Sequence, residues 1–176
     1  MIRSCLPRLT MTLLALGLAV GTAQAAASQS SDLVGADGGT IGKITVTDAP
    51  NGVLLRITAT GLTPGWHGVH FHEKADCSAP TFKSAGAHVH SMTPVTHGLL
   101  NPQANDDGDL PNLYVAADGS VTVEFYSTLV SLKGAGNRPA LLDADGSSVV
   151  IHANPDDYMT QPIGGSGDRV ACAPIK

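Results

Sequence analysis

The sequence has no run of basic residues, no apolar stretch long enough to span a bilayer, and no helical periodicity over a window the length of a helix. The lack of a basic run argues against nucleic acid or an anionic lipid surface as the partner. The apolar stretch at residues 11–20 is about half the length that a membrane-spanning helix needs. The lack of helical periodicity predicts an all-β fold.

Residues 1–25 have the features of a secretory signal peptide. Arg3 and Arg8 precede the apolar stretch, and Ala-Gln-Ala at residues 23–25 forms a small-residue cleavage site. Residues 26–176 are therefore predicted to be one mature domain, and a retained membrane anchor is the alternative. Cleavage would leave eight of the ten Lys and Arg residues against all fifteen Asp and Glu residues, which changes the net charge from −5 to −7.

Alternating apolar and polar residues predict several strands in the mature chain. The segments 43–49 and 53–60 flank a Pro-Asn-Gly turn at residues 50–52, which predicts an antiparallel hairpin. The segments 112–117 and 120–127 flank an Asp-Gly turn and predict a second hairpin. Further strands are predicted at residues 66–73, 147–153 and 169–175.

Two segments lack the strand period. Residues 26–31 are small and polar, and they are predicted to be loose. Residues 74–111 are rich in Gly, Pro, Asp, Asn and Ser and show no sustained period. A structureless loop of about 38 residues is uncommon in a compact domain, so something must organise this segment.

Six of the seven histidines lie close together in the sequence. They are His67, His70, His72, His88, His90 and His97. Neutral imidazole is the commonest protein ligand for copper and zinc, so the cluster predicts a metal site; a histidine-rich surface loop is the alternative. His70 and His72 are two apart in a predicted strand, so their side chains leave the same face and can bind one ion.

The order of motifs along the chain resembles that of the secreted bacterial copper/zinc superoxide dismutase family. The motifs are GVHFHEKADC, SAGAH, THG, DDGDLPNL, VVIHANPDD and GDRVAC, and the resemblance covers residues 32–176. It implies an eight-stranded antiparallel Greek-key barrel or sandwich, immunoglobulin-like, with two long functional loops. It also implies a superoxide dismutase of the bacterial periplasm, while the oligomeric state cannot be read from the sequence.

The resemblance implies two metal sites that share one histidine. The implied copper ligands are His70, His72, His88 and His152, and the implied zinc ligands are His88, His97, Asp106 and Asp109.

Asp106 is where the chain departs from the family, which has a histidine at this position. A carboxylate can bind zinc, but aspartate is shorter and adds a negative charge, so both an intact and a weakened zinc site are open. The chain also has one extra residue between His88 and His97. His90 is a possible substitute ligand, and an exposed loop histidine is the alternative.

Four further roles follow from the motifs. Cys77 and Cys172 remain after cleavage, and an even number of cysteines in an exported chain predicts a disulfide, which the family also has. The resemblance makes Arg169 the arginine that attracts superoxide beside copper. It makes Asp156 the carboxylate that hydrogen-bonds ligand histidines of both metals, and His67 a structural histidine behind the copper strand.

The resemblance also implies a mechanism. Cu(II) oxidises one superoxide to dioxygen, and Cu(I) reduces a second to hydrogen peroxide, with His88 leaving copper on reduction and carrying a proton to the product. Zinc is structural because it has no accessible redox change. The alternative is a non-catalytic extracytoplasmic copper/zinc-binding protein, although such degenerate relatives usually lack a copper ligand or the arginine.

Overall fold

The computed structural model describes Met1 and residues 26–176, so the predicted signal segment lies outside the described residues apart from Met1. The described part of the chain holds nine strands and one short 3-10 helix, which confirms the all-β prediction. No helix in this part is long and apolar enough to cross a membrane.

Seven strands form one antiparallel sheet, and two short strands pair separately. The strands are β1 Ser28–Gly35, β2 Thr40–Ala49, β3 Gly52–Ala59, β4 Gly65–His67, β5 Val69–His72, β6 Leu113–Val115, β7 Val121–Ser127, β8 Ser147–His152 and β9 Arg169–Ile175, and the 3-10 helix is Lys83–Ala85. The spatial order in the large sheet is β5-β8-β9-β1-β2-β3-β7, and β4 pairs with β6. Strands β8 and β9 therefore return to lie between β5 and β1.

The large sheet curls around one apolar core. Phe71 from β5, at one end of the sheet, and Phe125 from β7, at the other end, belong to the same buried cluster. The two ends of the sheet therefore face a common interior, as in a barrel. This burial of apolar side chains is the main stabilising contribution to the fold.

The first predicted hairpin is confirmed. Strands β2 and β3 pair in antiparallel register, with Val46 opposite Leu55 and Ile44 opposite Ile57. All four of these side chains are at most 1% exposed, whereas Arg56 between them faces solvent. The sequence period of two is thus the burial period of the strand.

The second predicted hairpin is wrong in its pairing. The turn is present, since the Gly119 N–H donates to the Ala116 carbonyl, but β6 pairs with β4, and β7 pairs with β3. Pairing with β3 gives β7 a seven-residue ladder, whereas β6 has only three residues to offer. The periodicity of the sequence predicts which face of a strand is buried, but it does not predict which strand lies next to it in the sheet.

Two other expectations are corrected. The mature start is not loose, because β1 pairs with β2 and the Ser31 hydroxyl donates to the Pro174 carbonyl of β9. The predicted strand at 66–73 divides at Gly68, and β1 is a strand that the periodicity did not predict, so the described residues hold nine strands where the sequence patterns predict seven and the resemblance implies eight. The first part of the divided strand, β4, pairs with β6, and its second part, β5, pairs with β8.

The long loop after β5 is attached to the sheet by the predicted disulfide. Cys77 and Cys172 are bonded, with their Cα atoms 5.5 Å apart. Around Cys172 the loop residues Phe82 and Ala85 pack with Val150 of β8, and all four residues are fully buried. The long loop is therefore ordered by a covalent bond and by a small apolar cluster.

We expect replacement of both Cys77 and Cys172 by serine to lower the free energy of unfolding by about 4 to 5 kcal/mol, because the bond closes a long loop in the unfolded chain. The residues joined are 95 apart in sequence. Urea unfolding checks this value. The wild-type protein in reducing agent is the matched control and should show the same loss, whereas a loss below about 1 kcal/mol in both would contradict the expectation.

Candidate metal centre

Four buried histidines bring ring nitrogens together at one end of the curled sheet. His70 and His72 come from β5, His152 is the last residue of β8, and His88 lies in the long loop. One nitrogen from each ring lies within 4.8 Å of the others. Strand β5 places His70 and His72 on one face, and the pairing of β5 with β8 brings His152 beside them.

The nitrogens that converge have no hydrogen-bond partner among the described residues. They are His70 Nδ1, His72 Nε2, His88 Nε2 and His152 Nε2. A buried polar atom without a partner costs free energy, so four such atoms at one point require an explanation. A metal ion coordinated by four imidazoles is an arrangement that gives all four a partner.

The opposite nitrogen of each β-strand histidine is held by an acceptor. His70 Nε2–H donates to Asp156 at 2.8 Å, His72 Nδ1–H donates to the Gly86 carbonyl at 3.0 Å, and His152 Nδ1–H donates to the Gly167 carbonyl at 3.1 Å. Because carbonyl and carboxylate oxygens only accept, each bond fixes the proton on the far nitrogen. The lone pair of the near nitrogen then points into the cluster.

Burial keeps these three rings neutral. It lowers the pKa of His70 to about 3, although the hydrogen bond to Asp156 opposes it, and the pKa of His152 to about 4. Burial, followed by the nearby His88, also lowers the pKa of His72 well below its usual value. At neutral pH the rings are therefore in the form that binds metals.

A second cluster adjoins the first and shares His88. His88 Nδ1 lies 2.7 Å from Asp106 Oδ2, and His97 Nδ1 lies 2.6 Å from Asp109 Oδ1 and 3.4 Å from Asp106 Oδ2. His88, His97 and Asp109, together with His70, form a group whose ligand atoms lie within 4.8 Å of one another. Asp106 is not a member of that group, although it lies beside His88 and His97. The four predicted zinc ligands would supply two nitrogens and two carboxylate oxygens, which is a suitable donor set for four-coordinate zinc.

The geometry within the second cluster also fits a metal. His97 Nδ1 and Asp109 Oδ1 are close, but they are not oriented for a hydrogen bond. Both atoms are buried and have no hydrogen-bond partner among the described residues. A metal ion bound by both atoms would give each of them a partner. Asp106 differs, because its Oδ2 forms a well-oriented hydrogen bond with His88.

The second cluster is ionic where the first is neutral. Burial alone would lower the pKa of His97, but the neighbouring carboxylates of Asp106, Asp109 and Asp156 outweigh it and raise the pKa to about 11. Burial likewise opposes the ionisation of Asp106, yet the hydrogen bond from His88 and the nearby ring of His97 hold its pKa below the usual range. Burial, with repulsion from Asp106, raises the pKa of Asp109.

One carboxylate joins the two clusters. Asp156 Oδ2 accepts from His70 Nε2 at 2.8 Å, and its Oδ1 accepts from His97 Nε2 at 3.0 Å. Asp156 is 4% exposed. It therefore fixes the orientation of one ring in each cluster.

Arg169 lies at the rim of the first cluster, held by the long loop. Its guanidinium donates to the Phe82 carbonyl at 2.7 Å and to the Gly86 carbonyl at 2.6 Å. The Gly86 carbonyl also accepts from His72, so one backbone oxygen positions both side chains. Arg169 remains partly exposed.

His67 and His90 lie outside both groups of converging atoms in the described structure. His67 is buried, with Nδ1 2.6 Å from the His152 carbonyl and Nε2 2.7 Å from the Thr63 carbonyl. This placement agrees with a structural role. His90 Nδ1–H donates to the His88 carbonyl at 2.8 Å, and the ring is partly exposed, so the structure does not bring it to the second cluster as a ligand.

Sequence reasoning missed two amide side chains that hold the site residues by their backbone. Asn112 Nδ2–H donates to the Asp156 carbonyl, and its Oδ1 accepts from the Asp156 N–H, both at 2.8 Å. Gln161 holds the backbone of His97 in the same way: its Oε1 accepts from the His97 N–H at 2.9 Å, and its Nε2–H donates to the His97 carbonyl at 2.8 Å. Single amides in irregular loops produce no periodic signal, so only the folded structure shows these contacts.

Comparisons with known proteins agree with this geometry. The model of the copper/zinc superoxide dismutase family matches residues 40–175. A copper/zinc superoxide dismutase of Caulobacter vibrioides is 69% identical over 140 residues, which cover 80% of this chain and 80% of that protein. A solved superoxide dismutase-like protein from Bacillus subtilis is 38% identical with a TM-score of 0.78, and the match covers 84% of this chain and 97% of that one.

The curled antiparallel sheet carries a cluster of four histidines. One of these histidines also belongs to a second cluster of histidines and carboxylates. This arrangement defines a β-barrel protein with two metal sites. The chain belongs to the copper/zinc superoxide dismutase family. This membership confirms the predicted family, the enzyme class of superoxide dismutase, and copper and zinc as the cofactors.

Gly164 tests the role of the Asp156 bridge. A Cβ added at Gly164 would overlap Asp156 Oδ1, so we expect Gly164→Ala to displace the carboxylate and to weaken metal binding about 10- to 100-fold, the usual effect of losing a partner of a metal ligand. Competition with a chelator measures this affinity.

Gly165→Ala is the matched control for Gly164→Ala. Both glycines have positive φ, +59° and +71°, but a Cβ at Gly165 meets nothing within 4 Å. The two variants therefore share the backbone strain and differ in the contacts of the added Cβ, which at Gly164 are with Asp156 and, at 3.0 Å, with Nε2 of its partner His97. Equal loss of metal affinity in both would contradict the expected role of the bridge.

Zinc binding should release about one proton per ion at pH 7, because the raised pKa keeps the ring of His97 protonated and a metal at Nδ1 must displace that proton. Zinc affinity should therefore fall as the pH decreases. Copper binding should release no proton from His70 or His152, whose pKa values lie far below 7. Calorimetry in buffers of different ionisation enthalpy counts the protons, and zinc binding without proton release would refute this.

Proposed function

We propose that His70, His72, His88 and His152 hold copper, that His88, His97, Asp106 and Asp109 hold zinc, and that the copper site dismutes superoxide. The observation that supports this most strongly is the convergence of four buried nitrogens without protein partners. Four imidazoles suit a cupric ion, whereas two nitrogens and two oxygens suit zinc.

Copper, when bound, supplies the one-electron couple that turns two superoxide ions and two protons into dioxygen and hydrogen peroxide. The protein residues supply orientation and a proton. His88 presents Nε2 to the copper cluster and Nδ1 to the zinc cluster. His88 Nε2 is therefore the ring atom at which a proton can be held beside the reacting oxygen and passed to the product.

Arg169 gives the site a local positive charge in an acidic protein. Superoxide is a small anion, and the chain carries fifteen acidic residues against ten Lys and Arg residues. The guanidinium is fixed by two carbonyls at the rim of the cluster, so it attracts superoxide to one position. The net negative charge of the rest of the protein repels the same anion. Arg169 is thus proposed to guide and bind the substrate.

Residues 1–25 are proposed to direct the protein out of the cytoplasm as a signal peptide, with residues 26–176 as the mature domain in a bacterial periplasm. The segment supports this because basic residues precede its apolar stretch, as in a signal peptide. The disulfide between Cys77 and Cys172 supports it independently, because such bonds persist in oxidising compartments. The non-catalytic alternative is less favourable, since all four copper positions and Arg169 are filled.

His152→Ala tests the copper assignment. We expect the variant to lose the copper signal of four nitrogen ligands and to lose dismutase activity, because His152 supplies one of the four converging nitrogens. Electron paramagnetic resonance of the copper-loaded protein and a superoxide consumption assay provide the two readouts. Full activity with an unchanged copper spectrum would rule out the ligand set.

Arg169→Gln tests substrate attraction. We expect kcat/KM to fall by about 10-fold or more and to depend less on ionic strength, because electrostatic steering raises association rates by 10- to 1,000-fold. The copper spectrum should stay unchanged. Arg56→Gln is the matched control, since Arg56 is exposed on β3 and pairs with Glu124 at 3.3 Å. Equal rate losses in the two variants would show only an effect of net charge.

A further inference from the structure

Asp106 is fixed tightly against the histidine that the two proposed metal sites share. Its Oδ2 accepts from His88 Nδ1–H at 2.7 Å, and its Oδ1 accepts from the Gly108 N–H at 3.0 Å. The side chain is 1% exposed. Both oxygens are therefore engaged, and the carboxylate has little freedom to move away from the ring.

The loop that carries Asp106 is itself packed closely onto His88. A Cβ added at Gly108 would come within 3.1 Å of the His88 Cβ and 2.9 Å of the Val89 nitrogen. Asp106 also forms a β-bridge with His90. The backbone on each side of the carboxylate is thus held in place by the segment that carries His88.

The hydrogen bond determines which nitrogen of His88 faces copper. A carboxylate only accepts, so Nδ1 carries the proton and Nε2 carries the lone pair. Nε2 is the His88 atom that converges with the other three copper-facing nitrogens and has no partner among the described residues. Asp106 therefore sets both the tautomer and the direction of the ring.

His88 thereby matches the other three rings of the copper cluster. The far nitrogens of His72 and His152 are held by backbone carbonyls, and that of His70 is held by Asp156. With Asp106 on His88, the protein itself supplies an acceptor for every far nitrogen. No metal in the second site is needed to complete the set.

The other carboxylate of the second cluster does not share this role. Asp109 Oδ1 lies 3.8 Å from His88 Nδ1, beyond hydrogen-bonding distance, and 2.6 Å from His97 Nδ1. A histidine at position 106, as in the resembling family, would bring no negative charge to His88. Orientation of His88 by an anionic side chain therefore depends on Asp106 alone among the residues of this cluster.

We propose that Asp106 has two roles: it binds zinc when zinc is present, and it holds His88 in the copper-binding orientation when zinc is absent. The copper site would then be complete in a protein that has bound only copper. This inference rests on the proposed copper ligands. Asp106 acts through His88, so in the copper-only protein it is a positioning residue.

The test compares copper binding with and without zinc. In the wild-type protein we expect zinc-free and zinc-loaded samples to show the same number of nitrogen ligands in the copper electron paramagnetic resonance spectrum and the same copper affinity. In zinc-free Asp106→Ala we expect copper affinity to fall about 10- to 100-fold and the spectrum to change, because His88 loses its partner. Asp107→Ala is the matched control, and it should behave as the wild type does.

Asp106→His provides a second variant with the opposite expectation. It introduces the family residue, so zinc-free protein should bind copper weakly and zinc should restore both affinity and spectrum. If Asp106→Ala does not fold, as judged by thermal unfolding, the wild type and Asp106→His decide the question. Equal dependence on zinc in these two proteins would overturn the inference.

The test also separates this inference from the proposed function. A wild-type copper site that loses affinity or one of its four nitrogen ligands when zinc is removed would overturn the role of Asp106. The proposed function would still hold if the zinc-loaded protein showed four nitrogen ligands and activity. Absence of a four-nitrogen copper spectrum in both samples would refute the proposed ligand set, and the inference with it.

Discussion

The buried carboxylate of Asp156 is the constraint on which the site depends. It accepts from one ring of each cluster, His70 and His97, and also from the Tyr158 N–H at 2.6 Å. A buried carboxylate is stable only if such bonds replace its hydration. Burial opposes its ionisation, but these hydrogen bonds hold the pKa of Asp156 below the usual range. Asn112 fixes its backbone, so the bridge is rigid at both ends.

The two clusters differ in charge because the first consists of imidazole rings alone, whereas the second contains the carboxylates of Asp106 and Asp109. Backbone carbonyls hold His72 and His152, and burial keeps both rings neutral at physiological pH. Carboxylates surround His97, which raises its pKa to about 11. The first cluster thus adds no charge of its own to a bound ion, and the positive charge of the ion and of Arg169 remains available to an anionic substrate. The second cluster neutralises its ion instead.

The sequence predicts those parts of the fold where periodicity and local turn chemistry suffice. The hairpin of β2 and β3 is an example, because each strand alternates and a short turn joins them. The partner of β7 is not predictable in this way, since choosing β3 over β6 depends on ladder length across distant segments. The same holds for β1, where only Leu33 and Gly35 are buried and the rest of the strand is held by backbone pairing with β2.

The site shows the same limit. The histidines and Asp156 are recognisable because their spacing forms motifs, and the structure brings them together. Asn112 and Gln161 act on the backbone of site residues that are distant in sequence, and Gly164 acts by leaving room for a carboxylate. None of these roles has a local pattern. They follow only from the three-dimensional path of the loops.

Phe82 shows how the long loop transmits its anchoring to the site. It is fully buried in the cluster with Ala85 and Cys172, yet its φ of 53° lies in the left-handed region, which costs a large side chain about 1 to 3 kcal/mol. Burial of the aromatic ring offsets this by about 1.5 to 3 kcal/mol. The carbonyl of Phe82 accepts a hydrogen bond from the Arg169 guanidinium at 2.7 Å. Apolar packing around the disulfide thus holds Phe82 in a strained backbone conformation, and the carbonyl of Phe82 helps to orient Arg169.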